Sequence, residues 1–275
     1  MTFLKFVWNP SSEGIDLGFI TIHYYSLMWV LAFVLGLQIM KRIYKNEGQS
    51  EESLDSLFIY SVLGIMIGAR LGHVIFYQPE LITQDPLSIF LPIRTVPEFE
   101  FTGFRGLASH GATLAMLLSM HLYNKKILKK SVLWILDRVV VACSLGAALI
   151  RLGNFFNSEM VGHKTDAATG VIFKSLGEDF ARHPGQLYEA FGYLILFVCI
   201  FYLYWKTNKS KQEGFLFGFF LVFLFVVRFI VEYFKVAQVD DRADWLLNTG
   251  QLLSIPFIII GLYFMFIYKS KRNAQ

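Results

Sequence analysis

Residues 139–162 read "VVVACSLGAALIRLGNFFNSEMVG". An uncharged run is followed at once by Arg151, Asn154, Asn157, Ser158 and Glu159. Counted from Val132, the apolar part has about the 20 residues that carry a helix across a bilayer. A soluble surface helix would alternate polar and apolar faces along its length. Here the polar residues gather at one end. The stretch therefore reads as a membrane helix whose far end is chemically unusual.

The rest of the chain agrees. Of its 275 residues 55% are hydrophobic and 17% charged, with 28 phenylalanines, and the mean hydropathy is +0.50. A soluble domain of this length buries a core but cannot hide that much apolar surface. Apolar runs predict spans at about 19–40, 54–77, 104–123, 132–153, 185–205, 214–235 and 246–268. The fold class expected is an all-α polytopic membrane protein of seven transmembrane helices. No repeat or linker divides it, so residues 1–275 read as one domain. Residues 154–184 form an outer loop or cap within it. Residues 1–18 are mixed, and the first apolar run ends in Lys41-Arg42 without a cleavage pattern, so it is expected to persist as a helix. Cys143 and Cys199 lie inside apolar runs and read as small buried hydrophobes. The histidines show no ligand spacing, so no metal and no cofactor are expected. A net charge of +4 in scattered clusters excludes a nucleic-acid partner.

Basic residues orient the helices. Loops on the C-terminal side carry Lys41, Arg42, Lys45, Lys125, Lys126, Lys129, Lys130, Lys206, Lys209, Lys211, Lys269, Lys271 and Arg272. The opposite side has only Lys5, Arg94, Lys164, Lys174, Arg182, Lys235 and Arg242. The N-terminus is expected outside and the C-terminus inside. The outer loops are long; residues 78–103 include "PLSIFLPI", too short to span.

A charge inside a span costs at least ~2.5 kcal/mol on insertion scales, so it needs a partner, a wet cavity or a ligand. Arg70, Arg151, Arg228 and Glu232 fall within about seven residues, roughly 10 Å, of the outer ends of their spans. Tyr25, His110 and Glu189 sit at a similar depth in the spans running the other way. Asp137 and Arg138 lie toward the inner end and read as snorkelling or as a local ion pair. Arg105 reads as a helix-end charge. Two readings cover the outer set: charges reaching for headgroups, or a polar chamber open to the outer leaflet. Snorkelling alone would populate both ends. Arg228 and Glu232, four apart, share a helix face and can pair. In "RHPGQLYEA", 182–190, Pro184 suits a helix start. There Glu189 either pairs structurally or joins His183 and Gln186 at a chamber rim. Guanidinium forks bind phosphate bidentately, and a phosphate at this depth belongs most simply to a phospholipid. The residues alone reach a phospholipid binder with a buried histidine.

"RLGNFFNSEMVG" resembles the signature of the bacterial prolipoprotein diacylglyceryl transferases. "HYYSLMW", "GARLGHVIFY", "GLASHGA", "RHPGQLYEA", "VVRFIVEYF" and "LNTGQLLSIP" follow in the family's order over nearly the whole chain. Two positions depart: Ile150 stands where the family usually has glycine, and Gly111-Ala112 replaces a Gly-Gly pair. The resemblance implies transfer of an sn-1,2-diacylglyceryl group from phosphatidylglycerol to the lipobox cysteine thiol of a prolipoprotein. A thioether forms and glycerol 1-phosphate leaves, as the first step of lipoprotein maturation, before signal peptidase II. It implies as partners phosphatidylglycerol, the prolipoprotein signal peptide and membrane lipids. It implies seven spans in the bacterial cytoplasmic (inner) membrane, with the active site facing the outer (periplasmic) leaflet. His110 matches the family's essential histidine, proposed as a base. Arg151, Asn154, Glu159 and Gly162 match the signature, Arg228 and Glu232 the span 6 pair, Tyr25 the span 1 tyrosine, and Arg70 the span 2 arginine. The expected catalytic set is His110, Arg151 and Arg228. The expected substrate-binding set is Arg151, Tyr25, Arg70, Asn154, Glu159, Gly162 and Glu232. The alternatives are another phospholipid-processing membrane transferase, a transporter of an anionic lipid-like solute, and a structural scaffold. No repeat or inner-leaflet charge path favours a transporter, and a scaffold has no need of so many intramembrane arginines.

Overall fold

The computed structural model describes residues 5–10, 14–18, 21–91, 93–101, 106, 108–236 and 247–268. Arg105, Arg242, Lys269, Lys271 and Arg272, and the beginnings of the first, third and seventh predicted spans, lie outside the described residues. Among those described, nine α-helices run in chain order. They are α1 Tyr24–Asn46, α2 Glu51–Tyr77, α3 Leu81–Gln84, α4 Leu87–Phe90, α5 Ser109–Tyr123, α6 Val132–Phe156, α7 Gly185–Lys206, α8 Phe215–Val231 and α9 Thr249–Leu262. Six stretches, counting the turns that extend α8 to Phe234 and α9 to Ile267, are long and apolar enough to cross a membrane. The region read as the third span carries α5, only 15 residues long, continued by a five-residue π turn Asn124–Leu128. Strands are three residues or shorter: β1 Phe6–Trp8, β2 Gly14–Asp16, β3 Thr21–His23, β4 Ile93–Arg94, β5 Glu100–Phe101 and β6 Val171–Phe173.

The chain divides into two compact units, Lys41–Ile135 and the remainder, Met1–Met40 with Leu136–Gln275. In the first, α2 packs on α5 along small residues. Gly64, Gly68 and Gly72 recur every four positions and face Ser119, Ala115 and Gly111, also four apart. A Cβ added at Gly68 would stand 2.5 Å from Gly111 O, and one at Gly72 2.7 Å from Gly111 Cα. Small-xxx-small rows let backbones meet when no hydrophobic force separates helix from lipid. This contact sets where α5 begins.

In the other unit, Gly218 of α8 and Gly261 of α9 make a second close approach: a Cβ on either would lie 2.6–2.7 Å from the other's carbonyl oxygen. Gly214 can offer α8 no side-chain cap. Asp137 of α6 supplies it, accepting from Gly214 N at 2.7 Å and Phe217 N at 2.8 Å. A carboxylate there meets the orphan N–H groups and the positive end of the helix. Asp137 is thus more than a snorkelling charge; its contact with Arg138 is looser, 4.0 Å, and Arg138 donates to Ser210 O at 3.1 Å. β1 pairs in parallel with β6, Phe6 opposite Val171 and Trp8 opposite Phe173. Trp8 then packs on the buried cluster Phe155, Val171 and Phe173. Strand pairing and this cluster anchor part of the predicted cap on the end of α6.

Candidate functional site

Helix α6 runs three residues past the expected end at Gly153, so Arg151 and Asn154 share a helical face at i, i+3. Asn154 accepts here: Arg151 Nη1 donates to its Oδ1 at 3.1 Å. Arg151 Nε stands 2.7 Å from Glu189 Oε2. Among the described residues no donor is aligned on that oxygen, so charge and not a linear hydrogen bond holds the contact. The other oxygen of Glu189, Oε1, accepts from Lys235 Nζ at 2.8 Å. Glu189 is fully buried and Lys235 nearly so. A carboxylate shared by two cations is an arrangement that offsets the desolvation cost of a buried charge.

Helix α7 assembles this cluster because its polar residues share one face. Gln186, Glu189 and Tyr193 fall at i, i+3 and i+7, and all are buried. The Tyr193 hydroxyl lies in the field of Glu189, Arg151 and Arg228. Arg228 sits in the last turn of α8 and acts on the Tyr193 hydroxyl through its charge. The expected Arg228–Glu232 pair does not form: Glu232 begins a 3-10 turn and its carboxylate faces Lys235 at 3.8 Å. Its backbone carbonyl accepts from Asn248 Nδ2 at 3.2 Å, which ties the turn to the capping box that opens α9. Tyr25 of α1 lies against α6 at Gly153, where a Cβ would come 2.8 Å from the Tyr25 ring.

Glu159 and Gly162 follow the end of α6. Ser158 and Met160 both take positive φ, which turns the chain sharply. The Glu159 carboxylate is exposed and accepts from Asn157 Nδ2 at 2.5 Å, whereas its carbonyl accepts from Gln186 Nε2. Gly162 sits where three backbones meet. Its N–H donates to His183 O at 2.8 Å, it bridges to Lys235, and a Cβ there would collide with Phe234 O and His183 Cβ. Only glycine fits. Glu178 takes Arg182 in a two-pronged ion pair, 2.6 and 2.5 Å, and Arg182 also donates to Gly162 O at 3.2 Å. Those hydrogen bonds hold the Glu178 carboxyl below its ordinary range and raise the Arg182 guanidinium. Burial, then His163 nearby, pushes the His183 imidazole down.

In the unit Lys41–Ile135, Arg70 does not present an open fork. Its guanidinium donates to Ile89 O at 3.1 Å, Ser88 O at 2.7 Å and Gly106 O at 3.3 Å. It ties α4 and the residue at 106 to α2. His110, the second residue of α5, has an exposed side chain and not the buried one expected, because it stands in the first turn of its helix. Ala108 N donates to Ala69 O at 2.9 Å, so the His110 turn is held to the same stretch of α2 as Arg70. Among the described residues no three His, Cys, Asp or Glu side chains gather as a metal site.

The structure thus brings together Arg151, Asn154, Arg228, Glu232, Tyr25 and the Gly162 turn in one unit, with Arg70 and His110 in the other. Sequence reasoning missed Lys235, Tyr193 and the central place of Glu189. The signal for two of them was present: polar residues at 186, 189 and 193 in an otherwise apolar helix mark its buried face.

Comparison with known proteins agrees with these motifs. A family model described as prolipoprotein diacylglyceryl transferase matches residues 13–267. A phosphatidylglycerol–prolipoprotein diacylglyceryl transferase of Bacteroides fragilis is 40% identical over 274 residues, covering 99% of this chain and 98% of the relative. Relatives of the same name from Tolumonas auensis and Chloroherpeton thalassium are 42% and 39% identical over 268 residues, each across 98% of this chain. They cover 99% and 95% of those relatives.

Proposed function

The chain belongs to the prolipoprotein diacylglyceryl transferase family, and from that premise we propose how its residues carry the reaction. It moves an sn-1,2-diacylglyceryl group from phosphatidylglycerol to the lipobox cysteine thiol of a prolipoprotein. The new bond joins the cysteine sulfur to a glycerol carbon, the carbon–oxygen bond to phosphate breaks, and glycerol 1-phosphate leaves with the bonding electrons. The observation that supports the reading is the buried cluster in which Arg151 meets Asn154 and Glu189, with Lys235 on the other oxygen of that carboxylate.

Charge gathers on the leaving phosphate, so the groups that oppose it contribute most. Arg151 and Arg228 take that role. Asn154 orients Arg151, Tyr25 packs beside it, and Glu232 and Gly162 fix the turn that carries Lys235. Glu159, exposed at the end of α6, lines the approach of the lipid headgroup. Arg70 acts through positioning, since its donors already hold the backbone near Gly106. A thiol with a pKa near 8.5 is only ~3% thiolate at pH 7. A base that ionises it fully contributes about 2 kcal/mol, and His110 is that base; the thiol proton passes to its ring. The substrate supplies the sulfur, so neither Cys143 nor Cys199 is needed as a nucleophile.

The protein works as one membrane-embedded transferase domain, with 154–184 as an outer cap. It has seven spans, N-terminus out and C-terminus in, in the bacterial inner membrane, with the site open to the outer leaflet. The asymmetry of lysine and arginine among the loops supports that orientation. The α5 helix and its π turn together reach roughly 30 Å, which supports α5 as the remaining span. The test is reconstitution in phosphatidylglycerol vesicles with a lipobox peptide. Glycerol phosphate is released with the cysteine peptide and not with its Cys→Ser form. Release with the serine peptide, or none with either, overturns the assignment.

A further inference from the structure

Glu189 divides its two oxygens, Oε2 toward Arg151 Nε at 2.7 Å and Oε1 to Lys235 Nζ at 2.8 Å. Lys235 reaches it along a built path. Its backbone bridges to Gly162, and its stem crosses Gly185, where a Cβ would sit 3.3 Å from Lys235 Cγ and 3.6 Å from Cε. The ammonium is almost fully buried, and Glu232 is its second, weaker partner at 3.8 Å. A reach so constructed, ending on one carboxylate oxygen, has a consequence for the arginine on the other.

A carboxylate with both oxygens free grips a guanidinium in a two-pronged fork. For Arg151 that fork would use Nε and Nη2, because Nη1 is already on Asn154. The same edge is the one a phosphate needs. We infer that Lys235 is a positioning residue for transfer: by occupying Glu189 Oε1 it limits that carboxylate to the single contact on Arg151 Nε and leaves Nη2 for the lipid phosphate. The inference rests on the reading of Arg151 as the phosphate clamp.

Four variants of the full chain, K235M, K235R, E189Q and K235M/E189Q, are assayed in phosphatidylglycerol vesicles with a lipobox peptide, alongside R151A. K235M lowers kcat/KM for phosphatidylglycerol by up to about 100-fold, the scale of a misplaced catalytic group, with KM for the peptide unchanged. K235R, which keeps the pairing, stays near wild type. The decisive readout is the double variant. With no carboxylate to seize Arg151, K235M/E189Q is about tenfold faster than K235M, a coupling of the sign expected for contacting residues. Because loss of a merely structural lysine would also leave Glu189 uncompensated, turnover is normalised to folded protein by its thermal unfolding in detergent; a double variant no faster per folded molecule than K235M overturns the inference, as does wild-type turnover in K235M. If K235M does not fold, G185A crowds the stem without removing a charge; an unchanged kcat/KM in G185A then overturns it. Full activity in R151A would instead overturn the phosphate reading beneath it.

Discussion

At the scale of single residues, the site depends on guanidinium geometry more than on charge. Arg151 donates from Nη1 to Asn154 while its Nε stays in charge contact with Glu189, a pairing of two partners that an ammonium on a flexible stem cannot reproduce. Arg151→Ala and Arg228→Ala are therefore expected to lower kcat by about 10²–10³-fold, as loss of an electrostatic donor does. Arg151→Lys should recover little. Glycerol phosphate release checks both, and wild-type turnover in Arg228→Ala would remove its role. His110→Gln tests the base differently. If the ring takes the thiol proton, the defect shrinks as pH rises past about 8.5, where the thiol ionises unaided. A defect constant from pH 7 to 9.5 would assign His110 to structure or lipid binding. Arg151, Arg228 and His110 could be singled out as candidates in the sequence because an isolated polar residue in an apolar run needs a local explanation. Lys235 was not, because its partner lies 46 residues away and only the folded chain reveals that Gly185 clears its path.

At the scale of elements, hydrophobic length is a local property, so most spans could be read directly. What could not be read was how the helices meet. The row Gly64, Gly68, Gly72 carries no polarity signal, yet it seats α2 on Gly111, Ala115 and Ser119 and so positions the turn bearing His110. Gly68→Val overfills that seam. A destabilisation of about 1–3 kcal/mol is expected, as for overpacked cores, seen as an earlier thermal unfolding transition in detergent. An unshifted transition would mean that the seam is not closely packed. The cap responds to pH in one direction. Glu178 has a lowered folded pKa, so its contribution is present above the usual value near 4.5 and is lost as pH falls through the folded value. His183 is lowered from 6.5 by burial, so its contribution is present above 6.5 and wanes as the ring is forced to protonate. Both loosen the cap on acidification. Pulse proteolysis of 157–184, normalised to an unstructured peptide, should rise from pH 7 to 4, and Glu178→Gln should flatten its lower limb. A cap equally protected throughout would contradict this.

At the scale of the whole molecule, function depends on which face of the membrane the arginines approach, since a lipoprotein precursor presents its lipobox at one leaflet. Two physical facts set the expectation. The basic residues are unequally divided between alternate loops, and those near short loops resist translocation. The number of crossings must then be odd, because the two termini are expected on opposite sides. That requires α5, which is not among the six stretches of membrane-crossing length and apolarity, to cross with the help of its π turn. Single reporter cysteines decide the point. Cys143 and Cys199 both lie in apolar helices and are first replaced by alanine. Ala168→Cys then marks the cap and Lys126→Cys the turn that follows α5; both positions are exposed. An impermeant maleimide on intact cells should label position 168, and position 126 only after permeabilisation. Labelling of both from outside would mean that α5 does not cross, which would place the lysines at 125–130 on the outer side and reverse the charge argument for every helix after it.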